Sequence, residues 1–158
     1  MSVKNEIERK WLIDKDKIPF DLSPLPKKEM EQSYIAFSPT VRIRSENGEK
    51  FILCIKSKHS DMSREEYETE ISKKDYEFLL TKKEGHTVKK TRYTFNFEGY
   101  NYEIDIFKDY LSPLAYLEIE FESEEKAKAF KSPNWTIKDV TNDKRYKNAY
   151  LAQNGITF

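Results

Sequence analysis

The stretch NEIERKWLI, residues 5–13, alternates in an unusual way: Glu6, Glu8 and Lys10 occupy every second position. In an extended strand, residues two apart share a face, so these three charges line up together. A strand of a half-buried sheet normally sets an apolar face against a polar one of mixed character. Here the polar face holds two carboxylates and an ammonium.

The same pattern returns along the chain. VRIR (41–44) aligns Arg42 with Arg44, opposite Val41 and Ile43. FILCIKSK (51–58) ends with Lys56 and Lys58 on one face, and REEYETEI (64–71) aligns Arg64, Glu66, Glu68 and Glu70. KKTRYTF (89–95) sets Lys90 and Arg92 opposite Thr91, Tyr93 and Phe95, which read as packing residues, as does Tyr67. LEIEF (117–121) sets Glu118 and Glu120 opposite Leu117, Ile119 and Phe121. On any one strand this reads as the wet outer face of an antiparallel sheet. Repetition argues otherwise, because like charges side by side repel unless something neutralises them. If the charged faces point into a barrel, the basic group suits phosphate oxygens, which Arg grips in bidentate fashion. The acidic group suits hard divalent cations. A cavity lined by both is what a metal–phosphate complex requires.

Further strands are expected near 3–13, 31–37, 40–46, 50–57, 64–72, 87–97, 100–108 and 114–122. Asn47-Gly48 marks a tight hairpin, and FEGYN (97–101) a second. LSPLPK (22–27) reads as a surface connection and LSPLAY (111–116) as a turn leading into a strand. A helix over about 75–84 would bury Tyr76, Leu79 and Leu80 and end at Gly85 as its C-cap. A second, about 124–131, would start after Ser123 and stop at Pro133. A third, about 143–153, would turn Tyr146, Ala149 and Tyr150 to one side and end near Gly155. Eight antiparallel strands with few helices predict an α+β fold built on a sandwich or closed barrel.

Bulk properties narrow the function. A chain of 158 residues reads as one domain, spanning 1–158, and ten Tyr with ten Phe exclude a disordered chain. The 28 basic and 28 acidic residues cancel, so no general field for nucleic acid or an anionic membrane surface is expected. Cys54 is the one cysteine, read as a small buried or half-buried strand residue, and His59 and His86 both fall in expected loops, so no Cys/His zinc centre is expected. No long apolar run suggests a leader or a membrane span, so a cytoplasmic protein is expected.

The ordered set EIERK, VRIR, CIK, SREEYETEI, KKTRY, LEIEF and DVTNDKRYKNAYLA resembles the motifs of the CYTH superfamily, the triphosphate tunnel metalloenzymes. The resemblance spans nearly the whole chain. It implies a closed eight-stranded antiparallel β-barrel whose charged tunnel processes triphosphates with Mg²⁺ or Mn²⁺. By position, it implies metal ligands at Glu6, Glu8, Glu118 and Glu120. It implies substrate contacts from Arg42, Arg44, Lys56, Lys90 and Arg92, with Arg64 and Glu66 lining the tunnel and Arg145 as a terminal basic position. It also implies that Tyr34 pairs with Lys10, as in short bacterial members. One region departs: SKHSDMS (57–63) stands where relatives often carry a glycine-rich stretch, which leaves Lys58 open between tunnel group and loop charge. The chemistry implied is metal-dependent hydrolysis of a terminal phosphoanhydride. Short inorganic tripolyphosphatases are the best match, ahead of thiamine triphosphatase and class IV adenylyl cyclase. A polyphosphate- or nucleotide-binding module without turnover is the non-enzyme alternative. The expected partner is a small-molecule triphosphate, with a homodimer left open.

Overall fold

The computed structural model describes residues 2–58 and 62–158, apart from the side chains of Ser2 and Lys58. The Lys58 side chain and His59 therefore lie outside the described residues. Among the described residues nine strands form, in chain order: β1 (Ser2–Ile13), β2 (Lys27–Phe37), β3 (Thr40–Glu46), β4 (Lys50–Lys58), β5 (Ser63–Ile71), β6 (Glu84–Phe97), β7 (Tyr100–Phe107), β8 (Ala115–Glu120) and β9 (Thr136–Asp139). Three α-helices accompany them: α1 (Lys73–Leu80), α2 (Glu124–Ala129) and α3 (Asn148–Asn154).

The strands run β5-β4-β3-β2-β6-β7-β8-β1, and β1 returns to pair with β5. Every pairing is antiparallel. The sheet therefore closes on itself as the expected eight-stranded barrel. β1 is long enough to serve several neighbours. Its residues 2–7 pair with β5 and 8–12 with β8, while 11–13 take on β9.

Both expected hairpins form. Asn47 and Gly48 have φ of 54° and 66°, and the Glu49 N–H donates to the Glu46 carbonyl. Glu98 and Gly99 have φ of 52° and 82° between paired Phe97 and Tyr100. Positive φ at both central residues matches the twist of the flanking strands. α1 starts under Ser72, whose Oγ accepts from Asp75 N–H, and α2 starts under Ser123, whose Oγ accepts from Lys126 N–H.

The structure corrects several boundaries. Gly85 is not a C-cap: α1 ends at Leu80, and Gly85 lies within β6 at φ 72°. A Cβ there would stand 2.5 Å from the Ala152 carbonyl oxygen, so glycine lets α3 lie close on β6. His86 is likewise in β6 rather than a loop, its ring 5.7 Å from that of Tyr110. Lys27, the last residue of the expected surface connection, already belongs to β2. The third helix begins later, because residues 144–146 form a 3₁₀ turn, and it buries Leu151 and Ala152 rather than Tyr150. β9 was not expected at all: it has four residues, three of them exposed, and no apolar alternation.

Apolar residues face outward from the barrel and are covered there. Trp11, Ile104, Leu117 and Ile119, all fully buried, pack with Ala127 of α2 and with Phe130. Ile43 and Phe51 pack with Tyr76, Leu79 and Leu80 of α1. Val88, Phe107 and Tyr116 pack with Tyr146 and with Leu151 and Ala152 of α3. Each large side chain so buried stabilises the fold by about 1.5–3 kcal/mol. With the apolar sets spent on the outer layer, the alternate residues face inward.

Candidate active site

All eight barrel strands send side chains into one internal cavity of about 280 Å³. β1 contributes Lys4, Glu6, Glu8 and Lys10; β8 contributes Glu118 and Glu120. β3 contributes Arg42 and Arg44, β4 Lys56, β5 Arg64, Glu66 and Glu68, and β6 Lys90 and Arg92. Gln32 and Tyr34 enter from β2 and Glu103 from β7, while Lys147 and Asn148 close in from the start of α3. Thirteen of the fourteen residues singled out in the sequence thus meet in one place, although they come from seven strands.

Arg145 does not join them. Its guanidinium is held by Asp143, with Nη2 to Oδ2 at 2.6 Å and Nε to Oδ1 at 2.9 Å. It lines a separate outer cleft with Arg9, Asp139 and Lys144. Tyr34 and Lys10 both line the cavity, with different neighbours. The Tyr34 ring stacks on Phe37 at 5.4 Å, and Tyr34 is the direct cross-strand partner of Arg42. The ring beneath the Lys10 ammonium is that of Tyr116, 4.8 Å from Nζ. Lys10 Nζ also donates to the Tyr146 carbonyl at 3.3 Å and lies 3.5 Å from Glu118 Oε1.

Charges inside the cavity fall into two groups. One is internally neutralised. The Lys56 ammonium stands 3.1 Å from Glu6 Oε1 and 3.6 Å from Glu66 Oε2. Arg92 grips Asp105 with two bonds of 2.7 and 2.8 Å and reaches Glu103 at 3.1 Å. Lys90 donates to the same Asp105 at 2.7 Å and to Asn148 at 3.0 Å. Burial lowers Lys90 to about 8, although Asp105 opposes this. Burial also works against Asp105, yet Arg92 and Lys90 hold its carboxyl well below the usual carboxylate range.

The other group is left in conflict. Glu8 and Glu120 are direct cross-strand partners of β1 and β8, a like-charge pairing that costs stability. Burial, then the charges of Glu118 and Glu6, pushes Glu8 well above its ordinary range. Burial and Glu6 push Glu120 the same way. Burial raises Glu103 to about 7, helped by Glu118 and opposed by Arg92. Carboxylates crowded in this way, all oxygen donors, fit a hard divalent cation. On the basic side, Arg42 and Arg44 each keep a buried Nε without a hydrogen-bond partner. Buried donors are rarely left so, and an anion's oxygens would satisfy them.

Several contributors went unread in the sequence, among them Lys4, Gln32, Asn148 and the acidic pair of β7. Glu103 and Asp105 of YEIDIF show the same every-second-residue spacing as the other charged faces. Glu68 was aligned with Arg64 and Glu66 but given no role. It lies beside Cys54, which is fully buried as expected. The ligand atoms of Cys54, Glu66 and Glu68 lie within 4.8 Å of one another. Among the described residues, no helix is long and apolar enough to cross a membrane.

Known proteins align with the chain over almost its full length. It is 40% identical to an inorganic triphosphatase of Nitrosomonas europaea over 152 residues, covering 93% of this chain and 96% of the relative. It is 35% identical to an inorganic triphosphatase of Acetivibrio thermocellus over 156 residues, covering 94% of each. A crystal structure of an inorganic triphosphatase superposes with a TM-score of 0.68 at 36% identity, covering 93% of each chain. The match to the CYTH domain runs from residue 4 to residue 146, through all nine strands, and on that extent the chain belongs to the CYTH domain family.

Proposed function

We propose that this protein is a divalent-metal-dependent triphosphatase that cleaves inorganic tripolyphosphate to pyrophosphate and orthophosphate, with residues 1–158 forming a single CYTH domain. The observation that carries this reading is the cavity itself, where buried arginines with unsatisfied donors face carboxylates that repel one another. The two inorganic triphosphatases it resembles support the choice of substrate.

Glu6, Glu8, Glu118 and Glu120 would hold Mg²⁺ or Mn²⁺. Bound there, the cations supply charge neutralisation for the triphosphate and acidify a coordinated water. Arg42 and Arg44 bind phosphoryl oxygens through the donors they have free. Lys56, Arg64, Lys90 and Arg92 add positive potential, which stabilises charge spread over the transferring group. Glu66 holds Lys56 in place, and Asp105 holds Lys90 and Arg92. Lys10, fixed by Glu118 and the Tyr146 carbonyl, orients the attacking water, and Tyr34 steadies Arg42 beside it. The expected setting is the cytoplasm.

The test is a product assay on tripolyphosphate, thiamine triphosphate and ATP, each with Mg²⁺ and with Mn²⁺. Tripolyphosphate should turn over fastest, and only with metal. Cyclic AMP as the main product from ATP would overturn the reading, as would tight binding without any product.

A further inference from the structure

The segment DKRYKNAY, residues 143–150, supplies more than Arg145. It forms the 3₁₀ turn over residues 144–146 and then the first residues of α3. Two of its groups, two residues apart, each hold a lysine of the cavity. The Tyr146 carbonyl accepts from Lys10 Nζ at 3.3 Å, and Asn148 Oδ1 accepts from Lys90 Nζ at 3.0 Å. The backbone here is well fixed. Tyr146 is fully buried, and Leu151 N–H donates to the Lys147 carbonyl at 3.0 Å. Gly85 lets α3 lie close on β6, the strand that carries Lys90.

Lys90 decides how the Asn148 side chain is turned. An ammonium has three donors and no acceptor, so the carboxamide atom that faces it is the oxygen. The carboxamide is planar, so its NH₂ group lies on the other side of the same carbon. Asn148 lines the central cavity together with Lys10 and Lys90. Among the described residues its amide nitrogen bonds to none, and it is not one of the polar atoms sealed inside the protein. Two N–H donors are thus offered by a side chain without charge. The charged donors around it are already engaged, Lys90 with Asp105 at 2.7 Å and Arg92 with Asp105 and Glu103.

We infer that Asn148 is a substrate-contacting residue, which donates from Nδ2 to an oxygen of the phosphoryl group seated at the Lys10 end of the cavity. This rests on the triphosphatase reading above, which sets the attacking water at Lys10. In the reaction, the water oxygen bonds the terminal phosphorus as the bridging P–O bond breaks. One proton of the water stays on the orthophosphate and the other goes to the leaving pyrophosphate oxygen. Charge is meanwhile spread over the three equatorial oxygens of the transferring group. A donor already fixed by Lys90 needs no reorganisation as that charge shifts, and donors of that kind stabilise a transition state most. Being neutral, the carboxamide adds no general attraction for a polyanion, so its contribution falls on rate more than on affinity.

Two substitutions separate this contact from the bond to Lys90. Asn148→Asp keeps an oxygen for Lys90 but loses both N–H donors; Asn148→Ala loses donors and acceptor and adds no charge. Single-turnover cleavage of tripolyphosphate should fall by about 100-fold or more in both. Kd of Asn148→Ala for a non-hydrolysable imido-linked triphosphate should stay within about 5-fold of wild type. A crystal structure of the wild-type protein with that analogue should show Asn148 Nδ2 within about 3.2 Å of a phosphoryl oxygen. A near-normal rate in Asn148→Asp would reduce the residue to a holder of Lys90. A near-normal rate in Asn148→Ala would leave charge repulsion as the whole effect of Asn148→Asp, and either result would overturn the inference. So would an analogue complex with no phosphoryl oxygen in hydrogen-bond reach of Nδ2, and that measurement needs no variant to fold. If wild-type protein binds the analogue but cleaves nothing, the triphosphatase reading fails alone and the complex still decides the contact; if it binds no triphosphate, both fail.

Discussion

Arg42 and Arg92 look equivalent as letters, yet their surroundings give them different consequences. Arg92 is locked to Asp105 and Glu103, so Arg92→Ala strands buried carboxylate charge and should cost about 3–5 kcal/mol of stability. Arg42→Ala should instead weaken binding of a non-hydrolysable triphosphate by about 1.5–3 kcal/mol and leave stability much closer to wild type. Urea melts and calorimetric titration of both variants separate the two effects. The carboxylates give the opposite sign. Glu8→Gln and Glu120→Gln each remove one half of a facing like-charge pair, so metal-free protein should gain about 0.2–1 kcal/mol. Metal-dependent turnover should collapse in both, and near-normal rates at limiting Mn²⁺ would rule out the acidic cluster as the metal site. Spacing made these residues legible, since a face of charges two apart survives any uncertainty in strand ends. It served less well at Glu103 and Asp105, where Ile104, Ile106 and Phe107 make the strand look like an ordinary amphipathic one. The aromatic partners of Lys10 were not legible, because Tyr116 and Tyr146 reach it from distant positions that no local pattern connects.

Among the elements, α2 depends on a residue outside it. Arg9 points away from the cavity, and its Nη1 donates to the Ala127 and Phe130 carbonyls at 2.9 and 2.6 Å, at the helix C-terminus. Its Nε and Nη2 hold Asp139 of β9 at 3.1 and 2.6 Å. Burial raises the Asp139 carboxyl, but bonds from the Thr141 hydroxyl and N–H and from Arg9 outweigh it and hold the group below its ordinary value. Such a group adds stability that is complete above the unfolded value, near 4 for Asp, and is lost as pH falls through the folded value. The Tm gap between wild type and Asp139→Asn should therefore shrink between about pH 6 and about pH 3. A gap that stays constant would show that Asp139 acts by packing. Gly85 gives a second test, since Gly85→Ala forces positive φ and a backbone clash with α3. A loss of about 1–3 kcal/mol is expected, at about 2–4 °C in Tm for each kcal/mol. Both hairpins and the Ser123 cap of α2 could be read from a few adjacent letters. β9 and the contact at Gly85 could not, because both are set by what lies across the fold rather than along it.

For the whole molecule, closure through β1 has a consequence for how the chain is made. β1 precedes every other barrel strand in the chain, yet its partners span residues 63–68 and 116–120. At about 5–20 residues per second, the first strand waits roughly 5–20 s for β8 to be synthesised. Until then its charged face has no enclosure, and Trp11 and Ile13 on the other face have no cover. Pairings between such distant segments carry a large loop-closure cost, which slows folding in all-β topologies. The nascent chain therefore passes through a stage in which β2 to β6 can assemble as an open sheet with two unsatisfied edges. One alternating strand, with Lys4, Glu6, Glu8 and Lys10 spaced along it, disfavours sticking to other nascent chains during that wait. The charges that line the finished cavity are thus also gatekeepers of its assembly.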